Sequence, residues 1–583
     1  MAIMRTLNMP VFLPALLVVI LSLPWPTLPG LGLSLTLNLL VWLWCAVCSA
    51  VLLWGMLHRR HGRCGFPVYI LLAGMVLMAL PLCWTPANFR LPALWRLAGT
   101  GALMMFFLAL LQYPFRGSAR NRLYGIIVIA ALVQAVFVVI QLWLPAQAHI
   151  LLHYSFALMN GRPTGTLLQT NLLGSFLATG LLCALWQTMS APSGRIFAAR
   201  AVAATGLSAA LVMTESRTAL LGAGLSAALL LLSRFIPASR RGVLVLLLLA
   251  GGLVGHAGLS ARPDTLPVSQ VGDTRPTGTE ARLDWNRQQS GQERQVMLQA
   301  ALVMIAGRPL LGQGLGTFEA RFPDVLASED IPNPFTVTVF HPHNELLYVW
   351  SEGGVAALAG LLLWCAVLAW PVLTLLATPP RWRVAARGIL VLPLVIHLMT
   401  ELPLYLSAAH GILLVVLLRL ALPVSATRPC RPARGPGAAG LAVCAAGALF
   451  MATGLQSAFR LQDAERFRLM DPTPLTQLLN PYAQSDRLLF DKAISNLMTY
   501  NLTRDPALIR EFRTGATDWL SRHNDASLTA TLQQIAMNEH RFNDALYWQQ
   551  RGCRSFARDP RFHCRPDFSS AGQEPRNVPA SSD

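Results

Sequence analysis

The sequence predicts an all-α, polytopic integral membrane protein, and three observations carry that prediction. Of its 583 residues, 54% are hydrophobic and only 13% are charged, whereas a soluble domain has about 25% charged residues. Apolar runs of about 20 residues, long enough to cross a bilayer, recur along the chain. Arginines cluster in the short segments between these runs, as in cytoplasmic loops. The arginines of these loops therefore account for the net charge of +18, which need not indicate nucleic-acid binding.

Thirteen apolar runs are predicted to be membrane spans. They cover 11–26, 31–57, 66–84, 92–113, 123–144, 166–187, 199–214, 217–234, 242–258, 345–376, 388–404, 405–423 and 436–457. The arginine groups all fall on one side of this succession, which places the N-terminus in the cytoplasm and the C-terminus outside. The first run is not followed by a small-residue cleavage site, so it is predicted to be an uncleaved span.

These spans divide the chain. Residues 1–425 are predicted to form a membrane domain that includes a long outside loop at 259–344. Residues 426–457 carry a basic linker and the last span, and residues 458–567 form a small helical domain outside the membrane. The final stretch, 568–583, is rich in Ser and Pro and is predicted to be disordered. A connection as long as 259–344 is usually functional.

Helical periodicity is visible in both outside regions. Glu293–Gly307 is predicted to be a helix that lies against the bundle. Its apolar face is predicted to consist of Val296, Leu298, Ala301, Leu302 and Ile305. In the tail, Ala526–Met537 and Arg541–Arg551 look like paired helices, compatible with a TPR-like repeat, although no clean second copy of a 34-residue unit is present.

The ten cysteines show no zinc-like spacing, and most of them fall inside apolar runs as small buried hydrophobes. Cys553 and Cys564 differ because both lie in the polar C-terminal region. In an oxidising periplasm they could form a disulfide. Two unpaired thiols are the alternative.

The stretch His341-Pro342-His343-Asn344-Glu345 lies where the long polar loop meets an apolar run. Ionisable residues at the edge of a span are functional candidates. A neutral imidazole oriented by a neighbour would serve as a general base. The alternatives are a metal site formed by His341, His343 and Glu345, which lacks the clear third partner that zinc prefers, and histidines satisfied at the interface without chemistry.

Two further groups of polar residues are predicted on the same side. Gly161-Arg162-Pro163-Thr164-Gly165, with Gln169 and Asn171 beyond it, makes a tight turn that offers donors; a turn with helix-packing amides is the alternative. Ser216-Arg217-Thr218 places an arginine against the positive-inside trend. A guanidinium fork binds phosphate oxygens bidentately, and a snorkelling side chain is the alternative.

The outside loop contributes Arg294 and the glycine run Pro309-Leu310-Leu311-Gly312-Gln313-Gly314-Leu315-Gly316. This run lacks the lysine and the preceding strand of a phosphate-binding loop, which argues against nucleotide binding. Its glycines are predicted to let the backbone turn close beneath the site.

Together these motifs resemble the O-antigen ligase/polymerase superfamily. The resemblance rests on the runs GRPxGxxxQxNxxG at 161–174, Ser-Arg-Thr at 216–218, PxxGxGxGxF at 309–318 and His-x-His-Asn-Glu at 341–345, in that order. It covers most of residues 10–425 in layout. Within the superfamily the chain looks most similar to bacterial protein O-oligosaccharyltransferases that glycosylate pilins, which have a soluble tail in the same position.

The resemblance implies a GT-C-like, inverting glycosyltransferase of the bacterial inner membrane that needs no metal or other cofactor and acts on the periplasmic side. The donor would be an oligosaccharide on undecaprenyl diphosphate, and the acceptor a Ser or Thr hydroxyl of an exported protein. His343 matches the catalytic base, Arg217 matches one arginine of a diphosphate-binding pair, and Arg294 matches its partner by loop position.

Substrate contacts are expected for a further group of polar residues near these three. They are Arg162, Gln169, Asn171, His341, Asn344 and Glu345. Within the class, the rivals are an O-antigen ligase with lipid A core as acceptor and an O-antigen polymerase. A transporter or channel is the rival from another class; it predicts charges along several spans or an internal repeat, whereas the polar groups here gather at one face.

Overall fold

The structure, a computed structural model, describes residues 9–25, 32–57, 62–113, 115, 117–156, 159–233, 236–261, 288–373, 382–423, 426–430 and 434–564. The first part of the predicted outside loop and the predicted disordered tail at 568–583 lie outside these residues. Within them the fold is all-α, as predicted. A two-stranded antiparallel sheet accompanies the helices, in which β1 (Gly62–Cys64) pairs with β2 (Arg428–Cys430).

The helices that follow are numbered in chain order. The first ten are α1 (Met9–Ser22), α2 (Thr36–Leu57), α3 (Phe66–Ala79), α4 (Ala87–Leu111), α5 (Gly117–Trp143), α6 (Pro145–Leu152), α7 (Thr170–Met189), α8 (Gly194–Met213), α9 (Arg217–Leu232) and α10 (Ala238–Ser260). Then come α11 (Gln288–Gly307), α12 (Phe318–Ser328), α13 (Glu345–Leu373), α14 (Trp382–Ile389), α15 (Leu392–Leu398), α16 (Pro403–Leu406), α17 (Ala408–Ala421) and α18 (Arg434–Arg466). The last five are α19 (Thr473–Thr476), α20 (Ser485–Thr503), α21 (Pro506–Leu520), α22 (Ala526–Asn538) and α23 (Phe542–Ser555).

Nine of the helices in the described part of the chain are long and apolar enough to cross a membrane: α2, α3 with its 3-10 extension to Cys83, α4, α5, α7, α8, α10 from Arg240, α13 and α18. Three shorter apolar helices, Leu13–Ser22, α9 and α17, accompany them. The protein is therefore a polytopic membrane protein. The apolar stretch of α7 is entirely buried, which makes α7 the central helix of the bundle.

One predicted span is not a continuous helix. Residues 388–404 are divided among the end of α14, the short helix α15 and the start of α16. Pro393 and Pro403 each stand in the first turn of a short helix, because proline has no N–H to donate within a helix. The prediction of this span used only the apolar composition of the stretch, which does not reveal the breaks between α14, α15 and α16. Glu401 lies in the break between α15 and α16, and it is buried.

Residues 288–344 form a separate cap at one end of the bundle. We call this end of the bundle the site face. Helix α11 contains the predicted helix Glu293–Gly307, but its buried face is rotated from the prediction. Side chains of α11, α12 and the loop pack on Tyr348 of α13 in a separate small core. The members of that core from α11 are Met297, Ala300, Ala301 and Met304, while Leu302, assigned to the apolar face, is 53% exposed.

The C-terminal region is helical, as predicted, and its helices α20 to α23 pack in pairs around Phe512, Leu520 and Leu532. Cys553 and Cys564 form a disulfide that closes the end of α23 onto the following turn. This helical region rests on the cap through polar contacts. Glu319 of α12 accepts from the backbone N–H of Asn524 at 2.9 Å, and Asn333 donates to the Arg554 carbonyl at 2.9 Å.

Candidate functional site

The site is built around the turn that precedes α13. Asn344 begins this helix, since its side-chain oxygen accepts the backbone N–H of Leu347 at 3.0 Å, as an N-cap residue does. Its amide nitrogen lies 3.4 Å from the Met399 carbonyl. His343, one residue earlier, has a left-handed backbone with φ of +57°. Non-glycine residues adopt this conformation infrequently and often at functional sites.

His341 lies behind this turn and is buried, with 2% of its surface exposed. Its Nδ1 accepts the backbone N–H of His343 at 2.9 Å, and its Nε2 lies 3.5 Å from the Glu345 carboxylate. Burial lowers the pKa of the His341 imidazole, so the ring is neutral. The ring therefore supports the backbone of His343 instead of reaching the surface, and this placement favours a supporting role over the predicted substrate contact.

Glu345 is buried as well. Its carboxylate accepts a hydrogen bond from the Tyr405 hydroxyl at 2.8 Å, and it faces His341 on its other side. The His341 ring also packs on the Tyr348 ring, with centroids 4.4 Å apart. Glu345 and His341 thus belong to the interior packing beneath the turn, which again departs from the predicted substrate contact.

Glu401, in the break between α15 and α16, joins the predicted site residues. Its carboxylate lies 3.2 Å from Nδ1 of His343 and accepts from Arg294 at 3.2 Å. It also accepts from the side-chain amides of Asn171 at 3.0 Å and Gln169 at 3.5 Å. Only 5% of the Glu401 side chain is exposed, against 29% for His343 and 47% for Arg294. A buried carboxylate therefore holds two side chains that reach the surface.

The neighbouring end of α9 connects to this cluster through Asn171. Ser216 caps α9, and its hydroxyl donates to the side-chain oxygen of Asn171 at 2.7 Å. Arg217, the first residue of α9, is exposed directly after this link. The structure thus brings the turn carrying Arg217, the amide of Asn171 and the Arg294–Glu401–His343 group to one place on the site face.

The Arg162 side chain contacts the turn before α9. Its guanidinium donates to the carbonyls of Thr214, at 3.3 Å, and Glu215, at 3.1 Å. These are the last residues of the turn that leads into α9 and Arg217. Arg162 therefore holds this turn, which favours a supporting role over direct substrate contact.

The glycine run approaches the backbone beneath the site, as predicted. Helix α13 breaks at Gly354, whose φ is +64°. The carbonyls freed by the break accept backbone N–H groups from the run, Ser351 from Gln313 and Glu352 from Gly314, each at 2.9 Å. A Cβ at Gly354 would come within 2.2 Å of the Leu310 carbonyl oxygen. In the run itself, a Cβ at Gly312 would come within 2.4 Å of the Glu352 carbonyl oxygen, so this contact requires glycine at both positions.

A second buried carboxylate, Glu352, completes the attachment of the run to α13. It accepts the backbone N–H groups of Gly316 at 2.9 Å and Phe318 at 3.0 Å, and it forms an ion pair with Arg96 of α4. Arg96 also donates to the hydroxyl of Tyr348. The donors around Glu352 are therefore one guanidinium and two backbone N–H groups of the glycine run and its continuation.

Glu401 is the functional candidate that the sequence reasoning missed. It is the only acidic residue between Glu352 and Asp463, and it lies inside an apolar stretch that was assigned to a span. A lone carboxylate in such a stretch is a functional candidate by default, so this signal was present.

Among the described residues, no three His, Cys, Asp or Glu side chains are grouped as they would be to hold a metal ion.

Comparison with known protein families identifies the part of the chain that carries these residues. A family model described as O-antigen ligase matches residues 201–362, which contain Arg217, Arg294, the glycine run and the His341–Glu345 turn. No curated protein matches the chain at a significant level. The matched family comprises glycosyltransferase-like ligases and polymerases, which work on lipid-linked oligosaccharides.

Proposed function

We propose that this chain is an inverting oligosaccharyltransferase of the O-antigen ligase/polymerase superfamily, since a family model described as O-antigen ligase matches residues 201–362. It moves a glycan from undecaprenyl diphosphate to Ser or Thr hydroxyls of exported proteins such as pilin. The observation that carries the proposal is the Glu401 cluster, which holds one imidazole and one guanidinium at the surface of the same site.

His343 is the base in this proposal. Its Nδ1 lies 3.2 Å from the Glu401 carboxylate, and a carboxylate at that position favours the tautomer with the proton on Nδ1. Nε2 is then free to accept the proton of the attacking hydroxyl. The hydroxyl oxygen bonds to the anomeric carbon while the bond from that carbon to the diphosphate oxygen breaks. General bases contribute roughly 10²- to 10⁴-fold to the rate.

Arg294 and Arg217 bind the leaving group in this proposal. Negative charge grows on the lipid diphosphate as the glycosidic bond breaks, so a cation there stabilises the transition state more than the ground state. Arg294 is half exposed beside Glu401, and Arg217 is exposed at the first turn of α9. Gln169 and Asn171 lie close enough to Glu401 to keep it fixed while substrate enters.

The proposed compartment is the periplasmic side of the inner membrane, with the N-terminus in the cytoplasm. The disulfide between Cys553 and Cys564 supports this orientation, because disulfides persist in oxidising compartments. The proposal keeps residues 1–425 as the catalytic membrane domain, 426–457 as basic linker and last span, and 458–567 as a periplasmic helical domain.

The ligase alternative rests on a specific observation, the description of the matching family as O-antigen ligase. In that case lipid A core replaces the protein hydroxyl as acceptor. The base and the leaving group would be the same, so only the acceptor separates the two activities.

Glycan transfer in a bacterial strain that supplies a lipid-linked oligosaccharide and lacks its own ligases tests the proposal. The strain expresses pilin-like acceptors, and mass spectrometry detects the oligosaccharide on Ser or Thr. We expect modified pilin with the wild-type protein and none with His343→Ala, at equal amounts of protein in the membrane. Glycan on lipid A core would establish the ligase instead, and longer lipid-linked chains a polymerase. Undiminished transfer by His343→Ala would refute the role of the base.

A further inference from the structure

The connection between the last span and the helical region contains an uncharged stretch from Pro472 to Ser485, flanked by Asp471 and Asp486. Such a stretch is unusual here because charged residues are frequent on both sides of it. The chain leaves α18 at Arg466, reverses direction, and returns along the same helix before α20 begins. Residues 477–484, which we call the return segment, lie against α18.

Hydrogen bonds fix the return segment at a defined height on α18. The Asn480 side chain donates to the Phe450 carbonyl at 3.0 Å, and the Asn480 backbone N–H donates to the Ser457 hydroxyl at 2.9 Å. Gln456 donates to the Gln477 carbonyl at 2.9 Å. These contacts place the return segment beside residues 450–457.

Residues 450–457 belong to the part of α18 that crosses the membrane. Helix α18 has 33 residues, and no charged residue lies between Arg434 and Arg460. A hydrocarbon layer of about 30 Å takes about 20 helical residues. A window of that length centred between Arg434 and Arg460 ends near Ser457, so the return segment lies at the membrane boundary.

The return segment has two different sides at this height. Asn480, Ala483 and Gln484 are buried against the bundle, and Gln484 donates to the Leu33 carbonyl next to α2 at 2.8 Å. Leu479 and Tyr482 point away from it and are 68% and 66% exposed. Both large side chains are thus exposed at the height where α18 leaves the predicted apolar layer.

We propose that the return segment is a membrane-interface anchor, which inserts Leu479 and Tyr482 into the headgroup boundary of the leaflet at the site face. Tyrosine is enriched at this depth because its ring is apolar and its hydroxyl stays hydrated. Charged side chains would be costly at the same depth, which explains the uncharged stretch. The anchor fixes the height of the helical region that rests on the cap.

Photocrosslinking to lipid tests the anchor in membranes that contain the full chain. Benzoylphenylalanine replaces Tyr482 in one variant and Leu479 in another, and the phospholipids carry an alkyne tag in their acyl chains. Benzoylphenylalanine at Tyr547 is the matched control, because Tyr547 is also a half-exposed tyrosine, at 49%, but lies on α23 of the helical region.

We expect the tagged lipid to attach to the 482 and 479 variants at least tenfold more than to the 547 variant. Equal labelling at 482, 479 and 547 would overturn the proposal, and so would crosslinks from 482 and 479 to another protein in place of lipid. Having two anchor positions keeps the test valid if one variant does not accumulate.

Discussion

Two buried carboxylates, Glu401 and Glu352, each pair with an arginine from a distant part of the chain, but their surroundings differ. Glu352 accepts from two backbone N–H groups and from Arg96, whose side chain is 22% exposed, against 47% for Arg294 beside Glu401. Glu401 accepts from Arg294 and faces His343, whose side chains reach the surface. Burial of an ion pair alone therefore does not distinguish structure from function; the exposure of its partners does.

The difference has a physical basis. A buried carboxylate is costly unless donors surround it. At Glu352 those donors are fixed in place, so the charge fastens the glycine run to α13. At Glu401 the partly exposed side chains of Arg294 and His343 supply part of the compensation, which leaves them available to a phosphate or a hydroxyl that enters from outside.

The largest effect is expected for Glu401→Gln. The amide keeps the shape of the side chain but removes the charge that faces His343 and Arg294. We expect the transfer rate to fall on the order of 10²- to 10³-fold, measured with purified protein and lipid-linked donor in proteoliposomes, while the melting temperature stays close to that of wild type. A variant that transfers glycan at the wild-type rate would show that Glu401 is only structural.

Glu352→Gln is the counterpart and is expected to act on stability. Removing one partner of a buried ion pair costs about 3 kcal/mol or more, because Arg96 remains in the interior without its carboxylate. We expect a lower melting temperature in detergent and less protein in the membrane. The folded fraction should transfer glycan at nearly the wild-type rate per molecule. Lost transfer at an unchanged melting temperature would remove the contrast with Glu401.

His341 offers a smaller and more local test, because its hydrogen bond to the site goes to the backbone N–H of His343. In His341→Asn the side-chain oxygen can occupy the position of Nδ1 and still accept that N–H. In His341→Gln the amide extends towards the position of Nε2, and the acceptor at Nδ1 is lost.

We expect His341→Gln to lower kcat about tenfold, the cost of roughly 1.4 kcal/mol in positioning, with little change in the KM for the donor. His341→Asn should retain most of the activity. Equal losses in the two variants, or a loss confined to KM, would indicate a different role for His341.

The sequence predicted the bundle well because a membrane span needs about 20 apolar residues in a row, which composition alone reveals. Twelve apolar helices lie where spans were predicted. It also predicted that the motif groups lie on one face, and the structure places Asn171, Arg294 and His343 around Glu401. It could not give the direction of each side chain. The Arg162 guanidinium donates to the carbonyls of Thr214 and Glu215, and the His341 ring accepts the backbone N–H of His343. Glu401 lies at a helix break, which hydropathy averaged over a long window does not show.

A third carboxylate, Glu319, pairs with a histidine outside the site, so its expected effect is confined to local stability. It lies 3.1 Å from Nδ1 of His523, where the helical region rests on the cap, and Asp486 lies 3.9 Å from the other ring nitrogen. Burial alone would lower the pKa of His523, but the carboxylates of Asp486 and Glu319 outweigh it and raise the pKa to about 9.

The raised pKa fixes how the contact depends on pH. The His523 imidazole binds its proton more tightly in the folded protein than in the unfolded chain. The stabilisation of the folded protein by this contact is therefore fully present below the unfolded pKa of about 6.5 and disappears as pH rises through about 9. Partial exposure and screening reduce it to about 1–2 kcal/mol. Comparing hydrogen exchange of residues 318–340 in wild type and His523→Gln tests this. We expect faster exchange in the variant at pH 6.5 and equal rates at pH 10, while a difference that persists at pH 10 would mean that the ring acts by packing rather than by charge.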